Sequence, residues 1–444
     1  MKNDNIAAIS TALSAAGVAV IRISGLSPLA IAEKMFTPVG KTSVKDFEPN
    51  KMYAGEIVAD GFSDFGMCVY FKAPKSFTGE DTVEFHSHGG VAIAQGVLRK
   101  VLSSGARLAE NGEFTKRAFL NGKLSLASAE GLIDMINSQS EGGVKAGYSL
   151  YRERLTEKVC AMQEKLTAAL SQIDADMDFP EEGLEETSRE KTADTLKEVI
   201  SEIRALLSSF KTGSRIINGV KVAICGKPNV GKSSILNALL NYDKAIVSDT
   251  AGTTRDVVEG SIDINGVRFN LFDTAGIRDT ENDVENLGVR LSEKTVKASD
   301  LIIFVMSALG ADQNDEKVYA LIKDLPHITV INKTDCGTYK DARADLYISV
   351  KTGEGLDDLR KTVYDKTIGK VDLNGDFLCE ERHYGALKNA ADKLSAALAA
   401  VYDTPLDILS VDVLAGWQHL GEISGKTASE DIIDDIFSRF CVGK

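Results

Sequence analysis

No stretch of this 444-residue chain is apolar for long enough to span a bilayer. Its first residues, Met1-Lys2-Asn3-Asp4-Asn5, carry neither a basic lead nor a signal-like apolar core. The six cysteines (68, 160, 225, 336, 379 and 441) are scattered, with no C-x-x-C pair and no metal-ligand spacing. That pattern excludes a disulfide framework and is expected of reduced thiols in a cytoplasmic protein. Surplus positive charge is missing too. Lys and Arg number 51 against 65 Asp and Glu, a formal net charge of −14. This excludes broad non-specific attraction to nucleic acid but leaves room for a local basic patch. His86 and His88 lie close in sequence but have no third ligand nearby, so packing rather than a metal accounts for them.

What is present is a soluble globular composition, 43% hydrophobic and 26% charged, on a chain long enough for two to four domains. Residues 1–118 read as mixed α and β, with short β-branched strands at 18–23, 52–58, 65–71 and 82–88 and a helix at 91–102. From 119 to about 215 the period becomes helical. Leu155, Val159, Met162, Leu166, Leu170, Ile173 and Met177 repeat at steps of three and four, as do Leu196, Val199, Ile200, Ile203, Leu206, Leu207 and Phe210. An acidic inter-helix loop is expected at Phe179-Pro180-Glu181-Glu182-Gly183. Residues 216–377 alternate strands with helices, as a doubly wound parallel sheet does. Helical stripes return in 378–444, at Leu387, Ala391, Leu394, Leu398 and Val401 and again at Ile432, Ile433, Ile436, Phe437 and Phe440. The expected fold is multidomain: an α+β N-terminal domain, an all-α helical domain built from both flanks, and an α/β P-loop domain inserted into it.

The α/β segment carries the chemistry. An apolar strand, Lys221-Val222-Ala223-Ile224-Cys225, runs into Gly226-Lys227-Pro228-Asn229-Val230-Gly231-Lys232-Ser233, which fits G-x-x-x-x-G-K-[ST], and a helix opens after it. Glycines let backbone N–H groups approach phosphates, and the helix N-terminus adds positive potential. Lys232 is expected at the β- and γ-phosphates and Ser233 on Mg²⁺. Asn229, Val230, Gly231 and Ser234 complete this loop. Asp273-Thr274-Ala275-Gly276 ends a second strand, with Asp273 near Mg²⁺ and the Gly276 N–H near the γ-phosphate. Asn332-Lys333-Thr334-Asp335 ends a third, where Asp335 accepts from both guanine N–H donors, a pairing adenine does not offer. Ser349 and Lys351 lie in a fourth loop, Ile348-Ser349-Val350-Lys351. Together these motifs point to GTP. Thr254, in Ala251-Gly252-Thr253-Thr254-Arg255-Asp256, is the expected second Mg²⁺ ligand. Ile277 follows Gly276 where Ras-like switches place a water-orienting glutamine, and no obvious arginine finger is readable, though Arg255 and Arg278 lie in the switch segments. Something else must place positive charge in the transition state.

These motifs, and others along nearly the whole chain, resemble the MnmE (TrmE) tRNA-modification GTPases, a potassium-dependent family. The resemblance is carried by Val20-Ile21-Arg22-Ile23-Ser24-Gly25, Ser76-Phe77-Thr78-Gly79-Glu80-Asp81, His88-Gly89-Gly90, the run from Gly112 to Lys123 (GEFTKRAFLNGK), and the final Cys441-Val442-Gly443-Lys444. It implies that Asn229 ligates K⁺, with Ser248, Thr250 and Thr253 in the loop completing that site. It implies Glu285 as the catalytic glutamate acting indirectly on water, and GTPase domains that meet face to face in a homodimer. It implies a 5-formyl- or methylene-tetrahydrofolate site in the N-terminal domain, with Arg22, Glu80, Lys123 and the terminal Lys444 as contacts, and Cys441 as a candidate for the tRNA reaction. The implied partners are an MnmG-like FAD protein, in a heterotetramer, and tRNA, whose wobble uridine gains a carboxymethylaminomethyl-type group at C5. One departure stands out: where the family carries T-P-P-G-x-G-G, this chain has Thr11-Ala12-Leu13-Ser14-Ala15-Ala16-Gly17. The rival reading from the same nucleotide motifs is a ribosome-assembly GTPase of the Era or Der kind, without modification chemistry.

Overall fold

The computed structural model describes residues 4–178, 185–242, 260–273 and 296–444. The chain divides into two compact units, one of Met1–Ile133, Leu150–Ser188 and Thr404–Lys444, the other of Asp134–Ser149 and Arg189–Asp403.

The first unit begins with a seven-stranded sheet of β1 (Ile6–Ile9), β2 (Ala16–Gly25), β3 (Phe36–Pro38), β4 (Met52–Val58), β5 (Ser63–Phe71), β6 (Asp81–Gly89) and β7 (Arg107–Leu108), in the order β3-β4-β5-β6-β2-β1-β7. Only β7, beside β1, pairs in parallel. The alternation along β2 shows why the sheet has two unlike faces: Ala19, Ile21 and Ile23 are buried while Val18 is exposed. The buried face joins Ile57, Cys68, Val83 and Phe85 and is covered by α1 (Pro28–Ala32) and α2 (Val91–Ser103), whose Val97 and Val101 enter the same core. On the other face Met52, Phe65, Met67 and Val18 stay exposed. Strands expected at 52–58 and 65–71 and the helix expected at 91–102 match β4, β5 and α2 to within two residues, and those expected at 18–23 and 82–88 lie inside β2 and β6. The short β1, β3 and β7 carried too few residues to show a period.

Helices α3 (Glu113–Leu120), α4 (Leu126–Asn137), α5 (Glu141–Tyr151), α6 (Arg154–Asp178) and α7 (Glu185–Asn218) follow. The stripe expected on α6 is its packed face: Leu155, Val159, Met162, Leu166 and Ile173 are buried, and it fades at the exposed Met177. The expected loop at 179–183 lies outside the described residues.

The second unit holds a six-stranded sheet of β8 (Val220–Cys225), β9 (Gly260–Ile264), β10 (Val267–Asp273), β11 (Leu301–Ser307), β12 (His327–Asn332) and β13 (Leu346–Tyr347). The order is β13-β12-β11-β8-β10-β9, parallel except for the edge strand β9. Strands buried on both faces read as continuous apolar runs, and Leu301–Met306 are all buried. Helix α8 (Lys232–Tyr242) lies between β8 and β9, α9 (Gln313–Ile322) between β11 and β12, and α10 (Leu356–Thr367) follows β13. The chain order reverses at β8, so the crevice beyond its carboxyl end is where such a sheet binds ligands.

Three helices close the chain: α11 (Glu381–Ala400), α12 (Leu406–Ser424) and α13 (Glu430–Ser438). Within the first unit α12 returns to α6: Gln163 Nε2 donates to the Trp417 carbonyl at 2.9 Å, and Trp417 Nε1 to Thr167 Oγ1 at 3.1 Å. Within the second, the α7 and α11 rings of Phe210 and Tyr384 lie 4.6 Å apart, and Arg189 donates to the Val401 carbonyl. Helices from the two flanks of the α/β sheet thus pack on each other, leaving the P-loop domain as an insertion.

Candidate guanine-nucleotide site and a second polar site

Four loops meet at the carboxyl edge of the six-stranded sheet. The first leaves β8 at Gly226, whose φ of +149° and Cβ position only 2.3 Å from the Val305 carbonyl exclude a side chain. Asn229 takes a left-handed φ of +64°. Gly231 sits at φ +100°, and a Cβ there would fall 2.4 Å from Asn332 Nδ2. That close approach exists because Asn332, the last residue of β12, donates from Nδ2 to the Val230 carbonyl at 3.0 Å. Its Oδ1 accepts from the Val350 N–H at 3.3 Å. One buried amide therefore joins the first, third and fourth loops. Lys333 adds a second tie, its ammonium donating to the Asn229 carbonyl at 2.6 Å.

Lys232 is buried at the start of α8, and its ammonium donates to the Gly226 and Lys227 carbonyls at 2.9 and 3.0 Å. Burial pushes its pKa below the ordinary lysine range, with Asp273 offsetting part of that. Ser233 Oγ donates to Asp273 Oδ2 at 2.8 Å. A hydroxyl and a carboxylate at contact distance beside a phosphate-type loop are the hard oxygen donors that suit Mg²⁺. Asp335 is held by Ser349 Oγ on Oδ1 at 2.8 Å and by Cys336 Sγ on Oδ2 at 3.0 Å, with Lys351 Nζ 3.7 Å away. Hydrogen bonds from Cys336 and Ser349 keep its carboxyl below its ordinary value, so it is ionised at neutral pH.

The structure thus brings together residues 229–234, Asp273, Asn332, Lys333, Asp335, Ser349 and Lys351. Ser248, Thr250, Thr253, Thr254, Thr274, Ala275, Gly276 and Glu285 lie outside the described residues. Cys336 as a partner of Asp335 was not foreseen; it directly follows the motif, but a thiol there has no reading from sequence.

The second polar site lies on the covered end of the open face of the N-terminal sheet. Arg22, on the interior strand β2, pairs with Glu84 at 2.7 Å and lies over the Phe77 and Phe114 rings, 5.5 and 5.7 Å from their centroids. Glu80 accepts from Ser24 Oγ at 2.7 Å and from Arg117 Nη1 at 3.1 and 3.2 Å. Lys123 donates to the Pro74 carbonyl at 3.0 Å. The chain's end comes to the same sheet. Gly443, at φ +101°, lies so close to β1 that a Cβ would meet the Ile9 carbonyl at 2.4 Å, and Val442 bridges to Asn111. Cys441 lies beyond α13 and is exposed. His86 and His88 pair with Glu84 and Asp64, and among the described residues no group of three metal-ligating side chains occurs.

Arg117 is the residue the sequence did not single out, although it stands inside the Gly112-to-Lys123 motif. It is buried and binds Asp4, Glu80 and Glu113, while Arg107 binds Asp4 and Glu113. Burial works against ionisation of Asp4 and Glu113, but hydrogen bonds from the two arginines outweigh it and hold both carboxyls below their ordinary values. Their contribution to stability is therefore complete above about pH 4 and lost as pH falls through the lower folded values. Arg117→Met should destabilise the fold by about 3 kcal/mol at pH 7, because it leaves Glu80 without its cation and Asp4 and Glu113 with Arg107 alone. It should also remove part of the acid-dependent loss, so that its stability deficit shrinks below about pH 4. Urea melts at pH 7 and pH 3.5 check this; an equal deficit at both would refute it.

A phosphate loop after a central parallel strand, a serine–aspartate pair beside it and an N-K-x-D loop whose carboxylate is fixed by its neighbours define a P-loop GTPase. The chain belongs to the MnmE (TrmE) family. It matches the MnmE helical domain over residues 126–441 and the GTP-binding protein TrmE N-terminus over residues 5–123. It is 39% identical to the tRNA modification GTPase MnmE of Moorella thermoacetica and 38% identical to that of Desulforamulus reducens, in each case over 100% of both chains. Among solved structures, a variant of Aquifex aeolicus Era bound to GDP.AlF4- is 30% identical over 39% of this chain and 66% of its own, with a TM-score of 0.27.

Proposed function

We propose that the protein is a cytoplasmic, homodimeric, potassium-dependent GTPase that works with an MnmG-like FAD protein. Together they add a carboxymethylaminomethyl-type group at C5 of the wobble uridine of tRNA. The observation that carries this reading is the end-to-end likeness to proteins named tRNA modification GTPase MnmE, with no part of either chain left over. In this reading residues 1–118 bind folate and form the dimer, 119–215 and 378–444 make the helical domain, and 216–377 are the GTPase.

Lys232 binds the β- and γ-phosphates by leaving the two loop carbonyls that now hold it. Asp335 takes the guanine N–H groups, and Ser233 with Asp273 and Thr254 hold Mg²⁺, which balances phosphate charge when bound. Asn229, with Ser248, Thr250 and Thr253, would hold K⁺, and the ion would supply positive charge beside the γ-phosphate, where negative charge develops. Glu285 orients water indirectly. In the N-terminal domain, Glu80 faces pterin N–H donors while Arg22, Lys123 and Lys444 face anionic groups, and the donor set fits: a fixed carboxylate beside an arginine stacked on two rings. The folate, when bound, would supply the one-carbon unit, and the exposed Cys441 is the chain's candidate residue for the tRNA reaction. The exposed apolar side chains Val18, Met52, Phe65 and Met67 on one sheet face support the homodimer, since apolar groups gathered on an open face suit an association surface.

Reconstitution with the flavoprotein, tRNA, GTP, K⁺ and 5-formyl- or methylene-tetrahydrofolate tests the reading by mass spectrometry of tRNA nucleosides. Modified wobble uridine is expected only in the complete mixture. Unmodified tRNA in a mixture that hydrolyses GTP normally would leave a GTPase switch without modification chemistry.

A further inference from the structure

The phosphate loop contains a second lysine that the nucleotide motif leaves unassigned. Lys227 is only 15% exposed, and its ammonium meets Asp315 Oδ2 at 2.8 Å, Asp312 Oδ2 at 3.0 Å and the Gly310 carbonyl at 3.3 Å. An ammonium has three hydrogens, and all three are used. Lys227 therefore has no donor left for a phosphate, whereas Lys232 holds only carbonyls of its own loop and is free to exchange them. The acceptors lie elsewhere in the chain: Asp312 is the N-cap of α9 and Asp315 its third residue, in a reciprocal capping box. Asp315 is fully buried; its Oδ2 takes Lys227 and the Asp312 N–H, and its Oδ1 finds no hydrogen bond among the described residues. A buried carboxylate of this kind is held in place by its one cation.

We propose that Lys227 is a positioning residue: its buried tether to the cap of α9 holds the phosphate loop in the shape that binds nucleotide. The loop needs such a brace. Gly226, Asn229 and Gly231 all take positive φ, which a free loop would leave readily, and the Lys227 carbonyl is one of the two that hold Lys232. The tether fastens the loop at its start, as Asn332 and Lys333 fasten it at Val230 and Asn229. The inference rests on reading 226–233 as the phosphate loop.

The test is release of a fluorescent GDP analogue (mant-GDP) from the full chain in K⁺ and Mg²⁺, with melting temperature measured alongside. Lys227→Met strands Asp315 and should lower the melting temperature as well as speed release. Lys227→Met with Asp315→Asn removes both charges, so the melting temperature should recover while release stays about tenfold or more faster than in the parent. Lys227→Arg keeps the charge and should release within about twofold of the parent. Asp312→Asn keeps an equally good N-cap, removes one tether charge, and should speed release about two- to threefold. Parent-like release from the double variant overturns the proposal; if that variant does not fold, parent-like release from Asp312→Asn does so. Failure of every protein, parent included, to bind the analogue would instead refute the phosphate-loop reading.

Discussion

Replacing potassium by sodium is expected to cut GTP turnover by about a thousandfold, with GTP affinity nearly unchanged. The size follows from the whole charge that is lost when a site sized for potassium does not hold the smaller sodium ion. Ile277 cannot orient water, and no arginine of the chain reads as a finger. A unit charge 4 Å from a developing negative charge, at an effective dielectric of about 20, contributes about 4 kcal/mol, or about three decades in rate. Asn229 is suited to hold that charge: it sits at φ +64°, is exposed, and has its carbonyl fixed by Lys333, which sets its position in the loop. Because two GTPase domains are expected to meet, the potassium rate should also rise with protein concentration. Glu285→Ala should bind GTP as the parent does and lose most of the potassium-stimulated turnover. Single-turnover hydrolysis in the two salts decides the matter, and equal rates would remove the cation from the mechanism.

Asp335→Asn should lower GTP affinity by about 10²–10⁴-fold and move preference towards xanthosine triphosphate. The carboxylate offers two acceptors to guanine N1–H and the 2-amino group, and an amide retains only one. Xanthine carries an oxygen where guanine carries that amine, so the new N–H finds a partner. The structure limits what else changes. Ser349 can still donate to the amide oxygen, and the Asn332 bridge that ties the loops does not touch Asp335. Competition binding with the two nucleotides checks the switch. Unchanged preference for GTP would place guanine elsewhere.

Much of the site was legible because its motifs are local. Gly226 to Ser233 and Asn332 to Asp335 each follow directly on an apolar strand, so their chemistry and their place at a strand end could be read together. The helical stripes were legible for a related reason: α6 buries the main residues of its period up to Ile173. What could not be read was which distant segments complete each site. Lys227 reaches Asp312 and Asp315, more than eighty positions on, and Arg117 reaches Asp4, more than a hundred positions back. Neither spacing has a period or motif that would reveal it. Arg22 could equally have been an exposed edge charge, until the order of the strands placed β2 inside the sheet with Phe77 and Phe114 beside it.

By itself the sequence determined the nucleotide chemistry, the class of each segment and the family, because backbone conformation and hydrogen-bonding groups within a few residues suffice for them. Tertiary structure alone decided which helices from the two flanks pack on each other, which carboxylates neutralise Lys227 and Arg117, and that the final glycine closes against β1. Those facts depend on burial and on contacts between remote parts of the chain. Both arise only when the chain has been brought together and water is excluded from between its segments.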